Sequence, residues 1–235
     1  VRVGVPIADL TAGMFCATGI LMALLDRERT GVGQWVQSSL LQAQVAMLDF
    51  QAARWLIDGV VPEQAGNNHP TAVPMGVYPT SDGSMNIAVT GNRMWQDFCT
   101  VIDRPDLVDD PRFATARLRL EHRDALNALL FDITRTRTSA DLTEALIATG
   151  IPCGPINRID AVFADPQVAA LDMVVEVEHP QRGIQKVLGQ PIVLSGATPV
   201  MHSATPDAGQ HSDAILHELG LSDAEVAALK ERKVV

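Results

Sequence analysis

Cysteine is scarce in this sequence: Cys16, Cys99 and Cys153 are the only three in 235 residues. Their number is odd, their spacing is wide and no CxxC pair occurs, which argues against a disulfide framework or a thiolate zinc site and favours a reducing cytoplasm. Each thiol is expected to be an isolated core or loop residue. Basic residues are also in short supply, 18 Lys and Arg against 28 Asp and Glu, for a net charge of -10. Broad binding to nucleic acid or to a membrane surface needs a basic face, so neither is expected, although a local basic pocket for a phosphorylated cofactor stays compatible. Charged residues make up only 20% of the chain and hydrophobic ones 47%, enough for a real core in one large domain or two small ones. No signal peptide is visible. The most apolar run, Met14 to Leu25, falls short of the ~20 residues that span a bilayer, and a helix apolar on every side is expected inside a core. The histidines, His69, His122, His179, His202, His211 and His217, show no HExxH or other ligand spacing, so no metal site is expected. Neither the phosphate-loop pattern GxxxxGK[ST] nor the hydrolase elbow GxSxG occurs.

The elements that are present alternate between helical and extended patterns. Residues 10–29 read as a helix stopped by Gly31 and Gly33. Gln34–Ser38 alternate like a short strand, and Ser39 with Gln42 has the spacing of a capping box that opens a helix to about Asp58. Gly59–Pro74 is rich in Gly, Pro and Asn and reads as a linker. A hairpin turning at Asp82-Gly83 follows, then helices near 93–102, 121–135 and 139–149, the last closed by Gly150. "IPCGPIN" reads as a rigid loop, 164–171 as a short helix, and 173–178 with 186–194 as strands around Gly183. Ser222 and Glu225 form a capping box for the last helix. Trp95 and Phe98, at helical spacing, are expected in the core, and the charged stretches "DLVDDPRF" and "RLRLEHR" on solvated faces and turns. The fold class is α/β with an α+β insertion. The first part has too few strands for a sheet of its own, and the chain opens with Val1 as if in mid-protein; an upstream segment or partner chain is expected.

Two places can carry chemistry. Asp9 stands where a helix starts, followed by Thr11, Ala12 and Gly13. It reads either as an N-cap or as a carboxylate kept ionised by the positive helix end, with room beside it, able to attack an acyl thioester. The spacing alone does not choose between them. Gly66-Asn67-Asn68-His69-Pro70 reads either as an ordinary linker or as a flexible substrate loop.

Six segments, in order along the chain, add a further reading: "VGVPIADLTAG", "GILMALLDRERTGVGQWVQSSLLQAQVAML", "DDPRFATARLRLEHRDAL", "GIPCGPINRIDAVFADPQV", "EVEHPQRG" and "TPDAGQHSDAILHELGLSDAEVAALKERKVV". Together they resemble the C-terminal portion of class III CoA-transferases, the CaiB/BaiF or formyl-CoA transferase-like family. The resemblance implies a Rossmann-like large domain with an inserted small domain and an interlocked homodimer. Its parts would be the end of the large domain (1–60), a linker (61–74), the small α+β domain (75–180), and a linker with the return to the large domain (181–235). It makes Asp9 the catalytic nucleophile and Gly66, Asn67, Asn68 and His69 the substrate loop. That loop departs from the all-glycine form of formyl-CoA transferase and looks more like members that use larger dicarboxylic acids. No permanently bound cofactor is implied; coenzyme A, as an acyl-CoA, is substrate, and a small carboxylic acid is the acceptor. Two other readings stand beside CoA transfer: an α-methylacyl-CoA racemase of the same fold, and an inactive fragment or a subunit of a split enzyme.

Overall fold

The computed structural model describes residues 3–197, 200 and 203–235; His202 lies outside them. The chain divides into two compact units, Val1–Ile156 and Asn157–Val235. The division falls inside the stretch 75–180 that the family resemblance assigns to a single small domain.

The first unit opens with helix α1 (Ile7–Thr30), which ends at Gly31 in the left-handed conformation. Gly31 donates its N–H to the Arg27 carbonyl, the αL cap that glycine adopts without steric cost. Between α1 and α2 (Leu40–Ala46) no strand forms. The expected strand at 34–38 is therefore corrected: among the described residues it has no partner to pair with, and the Trp35 side chain is 86% exposed. Val36 instead lies against α1, where a Cβ on Gly19 would meet its methyl group at 2.8 Å; glycine lets the segment approach the helix. Ser39 caps α2 by accepting the Gln42 N–H at 3.2 Å. The single helix expected to Asp58 breaks at Met47–Leu48 and resumes as α3 (Asp49–Asp58), with Asp49 at φ 46°.

The apolar α1 is not a core helix. Thr11 is its one buried residue, and Leu10, Met14, Leu21, Met22 and Leu25 are exposed. The expectation failed because a helix apolar all round needs cover on every side, and the described residues cover it only in part. The length argument is corrected too: the helix has 24 residues, and an 18-residue stretch of it has a mean hydropathy of 1.7, long and apolar enough to cross a membrane by length and composition.

The core of this unit lies further along. Strands β1 (Met75–Pro79), β2 (Ser84–Ala88) and β3 (Cys153–Pro155) form an antiparallel sheet in that order. The hairpin turns at Asp82-Gly83 as expected, with Pro79 paired to Ser84. β3 is a strand where a loop was expected. Pro155 sits opposite Met85 on the sheet's edge, a place where a proline's missing N–H is tolerated. Alternation along β1 and β2 turns Tyr78, Met85 and Ile87 inward. Against them pack α4 (Gly91–Val101), α5 (Ala116–Glu121), α6 (Arg123–Thr134) and α7 (Ser139–Ala148), contributing Trp95, Phe98, Leu126, Leu130, Leu142 and Leu146. Each such side chain contributes about 1.5–3 kcal/mol of burial. The helix expected over 121–135 is preceded by a separate turn, α5, capped by the Thr115 hydroxyl.

One correction concerns charge. Arg119, in the stretch read as a solvated face, is 1% exposed. Its guanidinium donates to the carbonyls of Val73 (3.2 Å) and Phe113 (3.0 Å), and it lies 5.0 Å over the Trp95 ring. Burial lowers its pKa, but hydrogen bonds and ring contact keep such a cation tolerable.

The second unit holds short helices α8 (Ile159–Ala164) and α9 (Pro166–Ala170), the hairpin β4 (Val174–His179) and β5 (Gly183–Leu188), and helices α10 (Ser212–Glu218) and α11 (Asp223–Glu231). The β5 strand begins and ends earlier than the expected 186–194, because pairing follows the turn at Gly183 opposite His179. His179 is buried and structural: its Nδ1 accepts the N–H groups of Gln181 and Arg182 and so closes that turn. The Ser222–Glu225 capping box opens α11 as expected, each residue's side chain accepting the other's backbone N–H.

Candidate active site

Asp9 lies two residues inside α1 rather than ahead of it. The helix starts at Ile7 behind Pro6, which serves as its N-cap residue without a side-chain bond. Leu10 makes the first helical bond, to the Pro6 carbonyl at 3.0 Å. Ala8 and Asp9 therefore stand in the opening turn, where backbone N–H groups lack helical acceptors and the helix presents its positive end. The N-cap reading of Asp9 falls on this geometry. Its carboxylate is exposed, and among the described residues no side chain bonds to it or pairs with it. Thr11 turns away, its hydroxyl donating to the Ile7 carbonyl at 2.7 Å. A Cβ on Gly13 would meet nothing within 4 Å, so the helix face beyond Asp9 is open.

Gly66, Asn67, Asn68 and His69 come together along the edge of β1. Gly66 takes φ 60°, the Asn68 N–H returns to the Ala65 carbonyl at 3.1 Å, and Asn68 bridges Gly76. The His69 N–H donates to the Met75 carbonyl at 2.8 Å, and the Val77 N–H to the Asn67 carbonyl at 3.0 Å. Arg123 on α6 donates to the carbonyls of His69 and Pro70, each at 2.9 Å. The segment is thus a turn tied to β1 by one isolated bridge, at Asn68 and Gly76, and by the flanking backbone hydrogen bonds. The polar backbone groups of an Asn-rich stretch found partners in β1.

The side chain of His69 is held as well. Its ring stacks on Phe50 of α3, with centroids 5.8 Å apart and planes at 14°. Its Nδ1 accepts the Thr71 N–H at 3.2 Å. A nitrogen that accepts carries no proton in the neutral ring, so Nε2 bears the hydrogen and is the ring's donor. Asn127, Arg123, Tyr78 and Phe50, which hold the loop, were not singled out by sequence reasoning. Nothing local marks them, since each lies far along the chain from the residues it touches. Asp9 and the loop belong to the same unit, yet among the described hydrogen bonds and ion pairs none joins them. Among the described residues no group of three or more His, Cys, Asp or Glu is placed to hold a metal ion. Cys99 is buried, with its thiol pushed up to about 12 by burial, and Cys16 and Cys153 are partly buried. None of the three is disulfide-bonded.

The chain is similar to known proteins in sequence and in fold. The model of "CoA-transferase family III" matches residues 1–212. An acyl-CoA transferase of Fusarium pseudograminearum is 34% identical over all of this chain and 52% of its own length. A succinate–glutarate CoA-transferase of Agrobacterium fabrum is 33% identical over 93% of this chain and 54% of its own. The human succinyl-CoA:glutarate CoA-transferase is 31% identical over all of this chain and 54% of its own. The crystal structure of a CaiB/BaiF family protein from Brucella suis superposes with a TM-score of 0.77 at 34% identity, over 93% of this chain and 57% of that one. The chain spans about half the length of the curated relatives it matches. A family match over nine-tenths of the residues, in a chain that also shares its relatives' mixed α/β structure, has one meaning: this chain belongs to CoA-transferase family III.

Proposed function

We propose that the protein moves CoA from an acyl-CoA donor to a carboxylic acid, with Asp9 as the covalent nucleophile. The observation that carries this reading is the exposed Asp9 carboxylate in the first turn of α1, in a chain matched by the family over residues 1–212. The helix end favours the ionised form that attack requires. The carboxylate attacks the thioester carbonyl; the C–S bond breaks, leaving a mixed anhydride on Asp9 and CoA thiolate. The thiolate attacks the Asp9 acyl carbon, expelling the donor acid as its carboxylate and leaving an aspartyl-CoA thioester. The acceptor carboxylate attacks that thioester, again releasing thiolate and forming a second anhydride. Thiolate attack on the acceptor's carbonyl then gives the new acyl-CoA and restores the Asp9 carboxylate. No proton, metal or redox partner is needed in the balance.

The acceptor is proposed to be a dicarboxylic acid. Relatives from Agrobacterium and human are named for succinate or succinyl-CoA and glutarate. With Nδ1 of His69 occupied by the Thr71 N–H, the loop offers the His69 Nε2–H and the exposed Asn67 amide for a second carboxylate. The proposal includes a homodimer, in which a second copy would cover part of the exposed apolar surface of α1, α2 and α3.

The test is CoA exchange between succinyl-CoA and a panel of mono- and dicarboxylic acids, followed by mass spectrometry. Asp9→Ala should abolish exchange while the circular dichroism spectrum stays native, and hydroxylamine added with acyl-CoA should leave a hydroxamate on Asp9. Substantial exchange by Asp9→Ala would sink the nucleophile. Exchange of the α-proton of a 2-methylacyl-CoA without CoA transfer would point to a racemase instead. Absence of both reactions would point to an inactive subunit.

A further inference from the structure

A buried polar chain runs from the sheet to the loop. The Tyr78 hydroxyl donates to Asn127 Oδ1 at 3.1 Å, Asn127 Nδ2 donates to Asn68 Oδ1 at 3.0 Å, and Asn68 Nδ2 donates to the Ala65 carbonyl at 3.3 Å. The last oxygen can only accept, so the chain has one possible direction and both amides have one orientation. Reversing them would set Asn68 Oδ1 against the Ala65 oxygen. Tyr78 is 1% exposed and Asn127 6%. Burial raises the phenol's pKa, so Tyr78 keeps its proton and remains a donor.

Asn127 follows Arg123 by four residues on α6, which puts the two on one face of that helix. Arg123 holds the carbonyls of His69 and Pro70 there, and Asn127 holds the side chain of Asn68. The neighbours of Asn127 in the core, Leu126 and Leu130, are apolar and fully buried. Fold stability does not ask for an amide at such a position: replacing both members of a buried hydrogen bond by apolar groups of the same shape costs little. A directed polar chain through an apolar core, ending on the loop, answers instead to the loop's position.

We infer that Asn127, with Tyr78 behind it and Arg123 beside it, is a positioning residue for CoA transfer, fixing Asn68 and His69 where the loop meets the carboxylate acceptor. The inference rests on the reaction proposed above and assigns the set of that loop to groups on β1 and α6.

The experiment compares the wild type with the double variant Tyr78→Phe/Asn127→Leu, which keeps the core filled, and with Asn127→Leu alone. Hydrogen–deuterium exchange reads the amides of Asn68, His69 and Val77, and steady-state kinetics vary donor and acceptor separately. In the double variant thermal stability should be nearly preserved, the loop amides should exchange faster, and the acceptor KM should rise about tenfold. The donor KM and kcat should stay within about threefold of wild type. Unchanged protection of Asn68 and His69 overturns the inference, because the chain would then not hold the loop. Faster exchange with an unchanged acceptor KM overturns it too, leaving Asn127 a purely structural residue. If Asn127→Leu alone fails to fold, the double variant still decides. A wild type that transfers no CoA sinks the proposed reaction, and the amide protection then decides by itself whether Asn127 holds the loop.

Discussion

Gly76 lies so close to Asn67 that a Cβ built on it would fall 2.5 Å from the Asn67 carbonyl oxygen. That oxygen is already in use, accepting the Val77 N–H at 3.0 Å. The strand β1 and the loop therefore touch backbone to backbone, and only the absence of a side chain at position 76 permits it. Gly76→Ala must push the loop off the sheet edge or distort β1. The expected cost is about 1–3 kcal/mol, as for overpacking elsewhere. Urea denaturation measures the loss, and the loop amides should lose protection together with it. An alanine variant as stable as wild type, with the Asn68 and His69 amides still protected, would show that the approach is not tight.

Arg119 ties together three pieces that the sequence separates. Its donors reach the Val73 carbonyl in the linker, the Phe113 carbonyl before α5, and the Gly91 carbonyl with Asn92 Oδ1 at the start of α4. Arg119→Met keeps the packing over Trp95 but takes the donor from the buried Val73 and Phe113 carbonyls, and should cost about 1–3 kcal/mol. Arg119→Lys should not restore the loss, since one ammonium cannot replace a planar fork of donors that also stacks on a ring. Chemical denaturation of the three proteins makes the comparison. A lysine variant with full wild-type stability would mean that charge alone, without the fork, satisfies the site.

What could be read from the sequence was what is local. The turn at Asp82-Gly83, the Ser222 capping box, the Gly31 stop and the buried pair Trp95 and Phe98 all depend on residues a few positions apart, and they stand as read. Elements that need a distant partner were misread. β3 carries two prolines nearby and becomes a strand only because β2 offers its edge. Residues 34–38 alternate like a strand and form none, for want of such an edge among the described residues. The site divides in the same way. Asp9 was legible as an acid at a helix start, although its place in the first turn depended on how Pro6 begins the helix. The loop Gly66–His69 was legible as a loop, but its docking was not, because Asn127 and Arg123 stand 59 and 54 residues from the groups they hold.

Asp82 at the hairpin turn gives the first unit an acid-sensitive joint with α7. Its Oδ1 accepts the Ser139 N–H at 2.9 Å, the Ser139 hydroxyl at 2.9 Å and the Thr80 hydroxyl at 2.8 Å. These bonds, the Ser139 N–H first, hold the carboxyl below its usual value. Because the folded state binds the proton less readily than the unfolded chain, the contribution is complete above the unfolded value of about 4. It is lost as the pH falls through the lower folded value. Asp106 and Asp110, held down by Arg104 and Arg112, and Glu225, held by Ser222, act in the same direction, so the wild type's acid limb sums several groups. The Asp82→Asn variant isolates one of them. It keeps an acceptor oxygen and removes the titrating charge, so it should be less stable than wild type at neutral pH and should converge with it as the pH falls below the lowered folded value. Thermal melts of both proteins between neutral and acid pH provide the difference. A gap between them that stays constant across that range would mean that the Asp82 charge does not contribute, and that the joint with Ser139 depends on shape and neutral hydrogen bonds alone.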